Sequence, residues 1–594
     1  MTTTAPDEAR ARQWLAVAIA AITLLALLLR LRGVDLFYMN VHASRDLYRA
    51  FLMARGIEFP LFGPELNYGG RSLGPAVYFL YAPPFLFTKD PLWASAWVAL
   101  VNALAVPPLM LACRRLLAVP ACCVAGLLLA VSPLAAAELR YMWNPVFVLP
   151  LSCLLLWLAV ITQEDPRPWR WALLALVGAA LVQVHLSTAL VVLVAWGFVA
   201  ARLRRQALGG LKWALPVLAI CFLPFLLGKL LQPGDFFGTW KTPEVRDQGI
   251  DFLGFNPNAF WVAGELVAPD SGESILRGLF THFVWMRANI AEASPALARL
   301  VATEDLWAWL GRALLLLGMG LAAAAVARRG QVVVDVTDFS QGDNSRRALL
   351  LLLLLWLLVP VLLYMWWSPF DWRRNGYLGV LPEVTEESQP PSYLAKRYLY
   401  QCWPAIFALM ALGFEWLWRW PLWRMATGGV LAGYLGFQAL FTSAWVAVAE
   451  HTGSGIVHVG VMHRPTPTWR TSMEFARALR ETGELGTEDL NPRRLRTGVE
   501  YGFNIMELDL DYPLRLAFEG APARGRMADD EVMTIRRVFP LWPGLEPLRS
   551  YQAGRFEGHV VTREQADQFI LFSDDWLQPY WPGVGKTWLW GEGE

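Results

Sequence analysis

Between two long apolar runs, residues 40–84 read NVHASRDLYRAFLMARGIEFPLFGPELNYGGRSLGPAVYFLYAPP, concentrating charge, glycine and aromatic rings in a chain that otherwise hides charge. Asp46 is the side chain there with chemistry to offer. Ser44 is placed to N-cap a short helix that runs through Ala54, with Gly56 stopping it and Pro60 beyond. On such a helix Arg45 and Arg49 share a face near Asp46, while Leu47, Phe51 and Ala54 rest on a membrane interface. Positive neighbours keep a carboxylate ionised, the state that a general base or a metal ligand needs. An ion pair that merely holds the loop would use the same residues and, from spacing alone, is the commoner outcome.

What must position this stretch is a membrane scaffold. Of the 594 residues 56% are hydrophobic and 17% charged, the balance of a chain whose solvent is largely lipid. After a polar tail with Arg10 and Arg12, the run from Trp14 to Leu29 is expected to be a retained first span rather than a signal peptide, because no small-residue cleavage site follows. Further runs near 92–113, 117–137, 145–162, 171–184, 186–201, 211–231, 305–326, 348–366, 398–418 and 425–448 suit spans of about 20 residues, which makes about eleven. Lys and Arg collect in alternate loops, among them Arg114, Arg115, Arg202, Arg204, Arg205, Arg328, Arg329, Arg419 and Arg424. The positive-inside bias then makes the N-terminus cytoplasmic and places the loops 33–91, 232–304 and 367–397 outside, in a plasma (inner) membrane.

Beyond about residue 449 charged residues return, with turn-forming GTED and NPRR stretches and no run long enough to span. The expected organisation is a transmembrane domain over 1–448 and a soluble, extracytoplasmic, mixed α/β domain over 449–594, with an amphipathic helix at 471–483. All 6 cysteines lie in apolar segments, where a thiol behaves as a small hydrophobe, so no disulfide framework is implied. No Walker loop, zinc-ligand spacing or Ser-His-Asp order is present, which counts against nucleotide-driven transport and ordinary hydrolase chemistry. A net charge of +1 argues neither for nor against a nucleic-acid partner, and none is expected.

The order of motifs resembles the GT-C superfamily of lipid-linked-sugar glycosyltransferases, in particular family 39 and the aminoarabinose-transferase-like bacterial proteins. The shared pattern starts with a first span ending Arg30 to Asp35 and continues through Ala43, Arg45 and Asp46, then Gly56, Pro60, Gly63 and Pro64, then Gly69 and Gly70, then Gly74, Pro75 and Tyr78. It goes on with Trp143 to Pro145, with Gln183, His185 and Ser187, and with Arg397, Tyr398 and Pro404. One register puts the family's leading acid of D-x-A-R-D on His42 and its second on Asp46; a rival register puts the leading acid on Asp46 and loses the second. A histidine serves as a base near neutral pH, so Asp46 is expected to be the principal catalytic group with His42 as its partner.

The resemblance implies transfer of a sugar from a polyprenyl-phosphate carrier to a lipid, glycan or protein acceptor at the outer membrane face, by single displacement with inversion. Arg45, Arg71, Tyr78, His185, Arg373, Arg374, Lys396, Arg397 and Tyr398 are the expected substrate- and phosphate-binding residues, and Lys229 is a further outer cation. Plainer roles compete at each position. Lys396 and Arg397 open a span and are placed to snorkel, Arg373 and Arg374 suit a solvated turn, and His185 suits a satisfied structural histidine. Asn144 and Pro145 suit the opening of a helix. Asp35 and Glu65 are candidate second carboxylates. With such an acid Asp46 would be able to hold a divalent cation, although no ligand spacing demands one. Two other classes compete with the transferase reading, a transporter or flippase and a non-catalytic envelope-assembly protein. The spans are nearly free of charge and show no related halves, which disfavours the first.

Overall fold

The computed structural model describes residues 5–37, 41–64, 74–138, 140, 142–231, 263, 266–267, 289–327, 343–366, 396–456, 465–490, 495–497, 513–514, 516–528, 530–537, 547–553, 556–562 and 564–565. The chain divides into two compact units, one of residues 1–34, 46–448 and 458–463, the other of residues 35–45, 449–457 and 464–594.

The first unit is helical. Its described helices are α1 (Ala5–Leu31), α2 (Val41–Ala54, shared with the second unit), α3 (Ala76–Phe85), α4 (Pro91–Ala103), α5 (Val106–Cys113), α6 (Val119–Val131), α7 (Pro133–Glu138), α8 (Val148–Glu164) and α9 (Pro168–Val184). They continue as α10 (Ala189–Leu203), α11 (Arg205–Leu231), α12 (Pro295–Val301), α13 (Glu304–Ala327), α14 (Asp343–Trp366), α15 (Trp403–Trp418) and α16 (Arg424–Thr452). Each of the eleven expected apolar segments carries a helix, and 8 helical segments among the described residues are long and apolar enough to cross a membrane. One expected span is kinked but keeps its spanning length, and one is broken. The run 92–113 turns at Leu104 into α5, which opens on Pro107 and Pro108, and 117–137 breaks at Ser132 before Pro133, because proline lacks the N–H that would continue the helix.

Buried polar side chains close the helix ends that packing removes from water. Arg30, 4% exposed, donates from Nη1 to the Ala130 carbonyl at 3.0 Å and from Nη2 to the Leu129 carbonyl at 3.0 Å, satisfying the last carbonyls of α6. Arg140 donates to the carbonyls of Arg32 and Gly33 just past α1 and lies over the Trp445 ring, 4.9 Å from its centroid. Glu415 accepts from the Ala118 amide at 3.2 Å, at the N-terminus of α6, and from Arg419 at 3.0 Å. Small residues let helices approach closely: a Cβ on Gly318 of α13 would stand 1.8 Å from the Leu409 carbonyl oxygen of α15.

The second unit is mixed α/β. Strand β1 (Ser454–Ile456) pairs antiparallel with β2 (Pro465–Pro467), and helix α17 (Trp469–Thr482) follows. That helix begins two residues ahead of the expected start, because the Thr468 hydroxyl accepts from the Thr471 amide at 3.3 Å; Gly483 ends it at φ +69°. Strands β3 (Leu495–Thr497), β4 (Glu531–Arg537), β5 (Arg549–Ala553) and β6 (Phe556–Thr562) form a sheet in the order β3-β4-β6-β5, with β3 parallel to β4 and the other pairs antiparallel. Phe475, Ala476 and Leu479 of the helix pack with Met533 and Val560 of the sheet in one core. Arg549 bridges the buried Glu531 and Glu484 at 2.6 Å and 3.0 Å, and the Tyr551 hydroxyl donates to Glu484 at 2.7 Å.

Candidate functional site

The expected N-cap at Ser44 is not used, since α2 starts at Val41, one turn earlier. Ala43 is fully buried ahead of Leu47, so burial of an apolar face extends the helix past the local capping signal. The C-terminus is where the sequence places it. The Gly56 amide donates to Met53 and the Ile57 amide to Leu52, both at 3.0 Å, with Gly56 at φ +70°; this left-handed end favours glycine. The expected interfacial role of Leu47 is overturned. Asp46, Leu47 and Ala50 are each 0% exposed, so the protein interior covers this face of α2 and the acid lies within it. Phe51 packs edge-on against Phe85 at 6.0 Å.

Tyr81 of α3 is the aromatic neighbour of that acid. Burial, and secondly the Asp46 carboxylate, push its hydroxyl well above the usual tyrosine range, so it is a neutral donor. It donates to the Trp143 carbonyl at 3.1 Å, and its ring meets Phe147 edge-on at 4.8 Å. The turn it holds is the WNP motif, where Asn144–Phe147 form a single 3₁₀ turn ahead of α8. Asn102 of α4 steadies the same turn by donating to the Val146 carbonyl at 3.0 Å. Asn144 makes no side-chain cap, contrary to its expected helix-opening role; its side-chain amide donates instead to the Val184 carbonyl, at the end of α9.

Val184 precedes His185, and here a second set of motifs meets. His185 sits in the extended joint between α9 and the 3₁₀ turn Leu186–Thr188. Its Nδ1 is 2.6 Å from Ser187 Oγ, and its ring stands edge-on to Tyr398 at 5.4 Å. Tyr398 lies in the 3₁₀ segment Lys396–Cys402 ahead of α15 and packs on Tyr364 at 5.6 Å. Gln401, fully buried, donates to the Tyr398 carbonyl at 2.6 Å and to the Ser187 carbonyl at 3.4 Å. The first loop is tied in as well. A Cβ on Gly74 would fall 2.0 Å from Gln183 Oε1, so the glycine lets the Gln183 side chain lie against the backbone here.

Of the expected site residues, the structure thus brings His185 and Tyr398 together, and links Asp46 to the WNP motif through Tyr81. Tyr78 is fully buried on the same helix as Tyr81. Lys229, in the last turn of α11 and 7% exposed, has Nζ 5.5 Å from the Phe62 ring centroid and 5.7 Å from that of Phe225. Asp35, a candidate second carboxylate, is already engaged. It belongs to the second unit, where Arg470 binds both its oxygens. Only the backbone of His42, Arg45, Lys396 and Arg397 is described, and Arg71, Glu65, Arg373 and Arg374 lie outside the described residues. Among the described residues no group of three or more His, Cys, Asp or Glu side chains is placed to hold a metal ion. Tyr81, Asn102 and Gln401 were missed by sequence reasoning. Polar residues at the ends of apolar runs were their only local signal.

With its helix order and its second, α/β unit, the chain has a fold that is found among solved structures. The solved structure that carries this likeness is ArnT from Cupriavidus metallidurans in the apo state, with a TM-score of 0.51 and 11% identity over 94% of this chain and 99% of that one. ArnT from the same organism bound to undecaprenyl phosphate matches at a TM-score of 0.49 with 12% identity over 93% and 98% of the two chains. The oligosaccharyltransferase AglB from Archaeoglobus fulgidus, in complex with an inhibitory peptide and a dolichol-phosphate, matches at 0.40 with 12% identity over 87% of this chain and 65% of that one. No family model matches the sequence. No curated protein matches it either. At such identities the likeness is one of fold.

Proposed function

We propose that this protein is a glycosyltransferase that moves a sugar from a polyprenyl-phosphate carrier to a lipid, glycan or protein acceptor at the outer face of the plasma membrane. The observation that carries the reading is Asp46, a carboxylate fully withdrawn from water near Tyr81, whose hydroxyl holds the WNP turn, in a chain with the fold of apo ArnT. A carboxylate withdrawn from water is a functional-site candidate, because its surroundings tune its proton affinity. Asp46 takes the proton of the acceptor hydroxyl or amine as that group attacks the anomeric carbon. The bond from that carbon to the phosphate oxygen breaks on the opposite side, and the electron pair leaves with the polyprenyl phosphate. One displacement inverts the anomeric centre.

Cations supply the other half of the reaction by stabilising the departing phosphate. Lys229 supports this role because its stem is buried and aromatic faces hold its ammonium group. The carrier is too apolar to leave the bilayer, so the site must meet it at lipid depth. Tyr81 and Asn102 stand on helices that are otherwise largely apolar, which suits that demand. The orientation with a cytoplasmic N-terminus and the second unit outside follows from the loop charges.

Mass spectrometry of the lipid-linked sugar pool tests this reading. Cells lacking the protein are complemented with wild type, with Asp46→Asn or with His42→Ala. Accumulation of one polyprenyl-phosphate sugar without the protein and with Asp46→Asn, and its consumption by wild type, is the expected result. The same pool in every strain would overturn it.

A further inference from the structure

We propose that the turn between α15 and α16 is a docking site for an anionic phospholipid of the surrounding membrane, with Arg424 taking the headgroup phosphate and Trp420, Leu422, Trp423 and Met425 seated among the headgroups and upper acyl carbons. The site is separate from Asp46 and does not rest on the transferase reading.

The turn is short and apolar. α15 ends at Trp418 and α16 starts at Arg424, so only Arg419–Trp423 join two helices of the membrane unit, and a connection of that length cannot carry its side chains far from the membrane surface. The turn lies past the helix ends. Glu415 accepts from the Ala118 amide at the start of α6, and the residues that follow it extend beyond that point. Leu422 is 94% and Met425 90% exposed, with Trp420 and Trp423 exposed on either side of Leu422. Scattered apolar side chains on a surface need no partner, but a run of them together marks one. Water is a poor solvent for this run, whereas the headgroup layer is where indole rings settle, apolar body on one side and N–H on the other.

Charge decides which lipid. The buried Glu415 is already engaged by Arg419 at 3.0 Å and by the Ala118 amide, and the next acid in the chain is Glu450. Among the described residues no carboxylate pairs with Arg424. Its Nε donates to the Trp418 carbonyl at 3.1 Å, which closes the end of α15 and fixes the guanidinium, while its two NH₂ groups remain for a ligand. Two parallel N–H donors match a phosphate, and a net positive turn favours the lipid whose phosphate charge is not cancelled by an ammonium group. The turn is also preformed. Phe414 packs on Trp418 at 5.4 Å and Trp416 edge-on to Trp420 at 6.1 Å, and Gly428, whose Cβ would stand 3.1 Å from the Trp418 ring, lets α16 fold back closely. Little order has to be created when the lipid binds.

Hydrogen–deuterium exchange of the full chain in nanodiscs reads the turn itself. With phosphatidylglycerol added to phosphatidylcholine, amides over 419–427 should exchange at least about threefold more slowly than in phosphatidylcholine alone. Arg424→Gln should abolish that difference, and Arg205→Gln, which removes an exposed arginine from the α10–α11 joint, should keep it. Leu422→Ser changes a side chain that touches little of the fold, so it should leave thermal stability unaltered while at least about halving the difference. In native mass spectrometry Arg424→Gln should hold phosphatidylglycerol at least about threefold less tightly than wild type does and phosphatidylcholine equally well. Equal loss in Arg424→Gln and Arg205→Gln would reduce the effect to general charge and overturn the proposal. The same exchange in both lipids would also overturn it, leaving the apolar tip to a protein partner.

Discussion

Arg470 grips Asp35 with a two-pronged hydrogen bond, Nε to Oδ2 at 2.6 Å and Nη2 to Oδ1 at 2.9 Å. The backbone follows the same path: the Arg470 amide donates to the Asp35 carbonyl at 3.0 Å, the Trp469 amide to the Phe37 carbonyl at 2.7 Å, and the two rings stack at 5.4 Å. A carboxylate held in this way is stabilised as the anion and is a poor base. Asp35→Asn should leave sugar transfer within about twofold of wild type and, because the pair is partly exposed, cost about 1 kcal/mol of stability. Asp46→Asn, by contrast, should lower the single-turnover transfer rate by about 10²-fold or more with the fold intact. Equal losses in the two variants would return Asp35 to the list of catalytic candidates.

Tyr81→Phe isolates the hydroxyl that holds the WNP turn. The ring contact with Phe147 survives and only the bond to the Trp143 carbonyl is lost, so the thermal stability of the purified protein should fall by about 1 kcal/mol. Transfer should fall further than that stability loss explains, because the turn carries Asn144 and, through Val184, the entry to His185.

Arg30 offers a test of the scaffold away from the chemistry. Arg30→Met keeps the length of the side chain but removes the donors to Ala130 and Leu129, leaving buried carbonyls at the end of α6 without their guanidinium. A loss of about 3 kcal/mol in unfolding from detergent micelles is expected, with part of it recovered in Arg30→Lys.

Gly318→Ala should be costly although alanine is the better helix former. The added methyl would meet backbone, the Leu409 carbonyl oxygen, so α13 and α15 would have to move apart; about 1–3 kcal/mol is the expected loss. Gly320, two residues on and so on the other side of α13, has nothing within 4 Å of its Cβ position, and Gly320→Ala should be neutral or stabilising in the same assay.

Local chemistry alone determined a good part of this protein. Apolar runs of spanning length became helices where they were expected, since in lipid a backbone must satisfy its own hydrogen bonds. The stops at Gly56 and Gly483 were legible because a left-handed residue at a helix end is a property of one glycine and its neighbours. The ordered motifs from Arg30 to Tyr398 pointed to the aminoarabinose-transferase-like proteins, and the chain shares its fold with apo ArnT.

Only the tertiary structure decided which polar residues act together. Asp35 and Asp46 look alike in the sequence, both acids of one loop, yet one is held by Arg470 from 435 positions away and the other is buried beside Tyr81. His185 and Tyr398, far apart in the chain, meet through Gln401, a residue with no motif of its own. Asn144 reads as a helix opener and instead bonds to α9. Helix periodicity and capping are short-range signals carried by a few neighbouring residues. The partner of a buried donor is set by which helices pack side by side, and that choice depends on the whole hydrophobic surface at once.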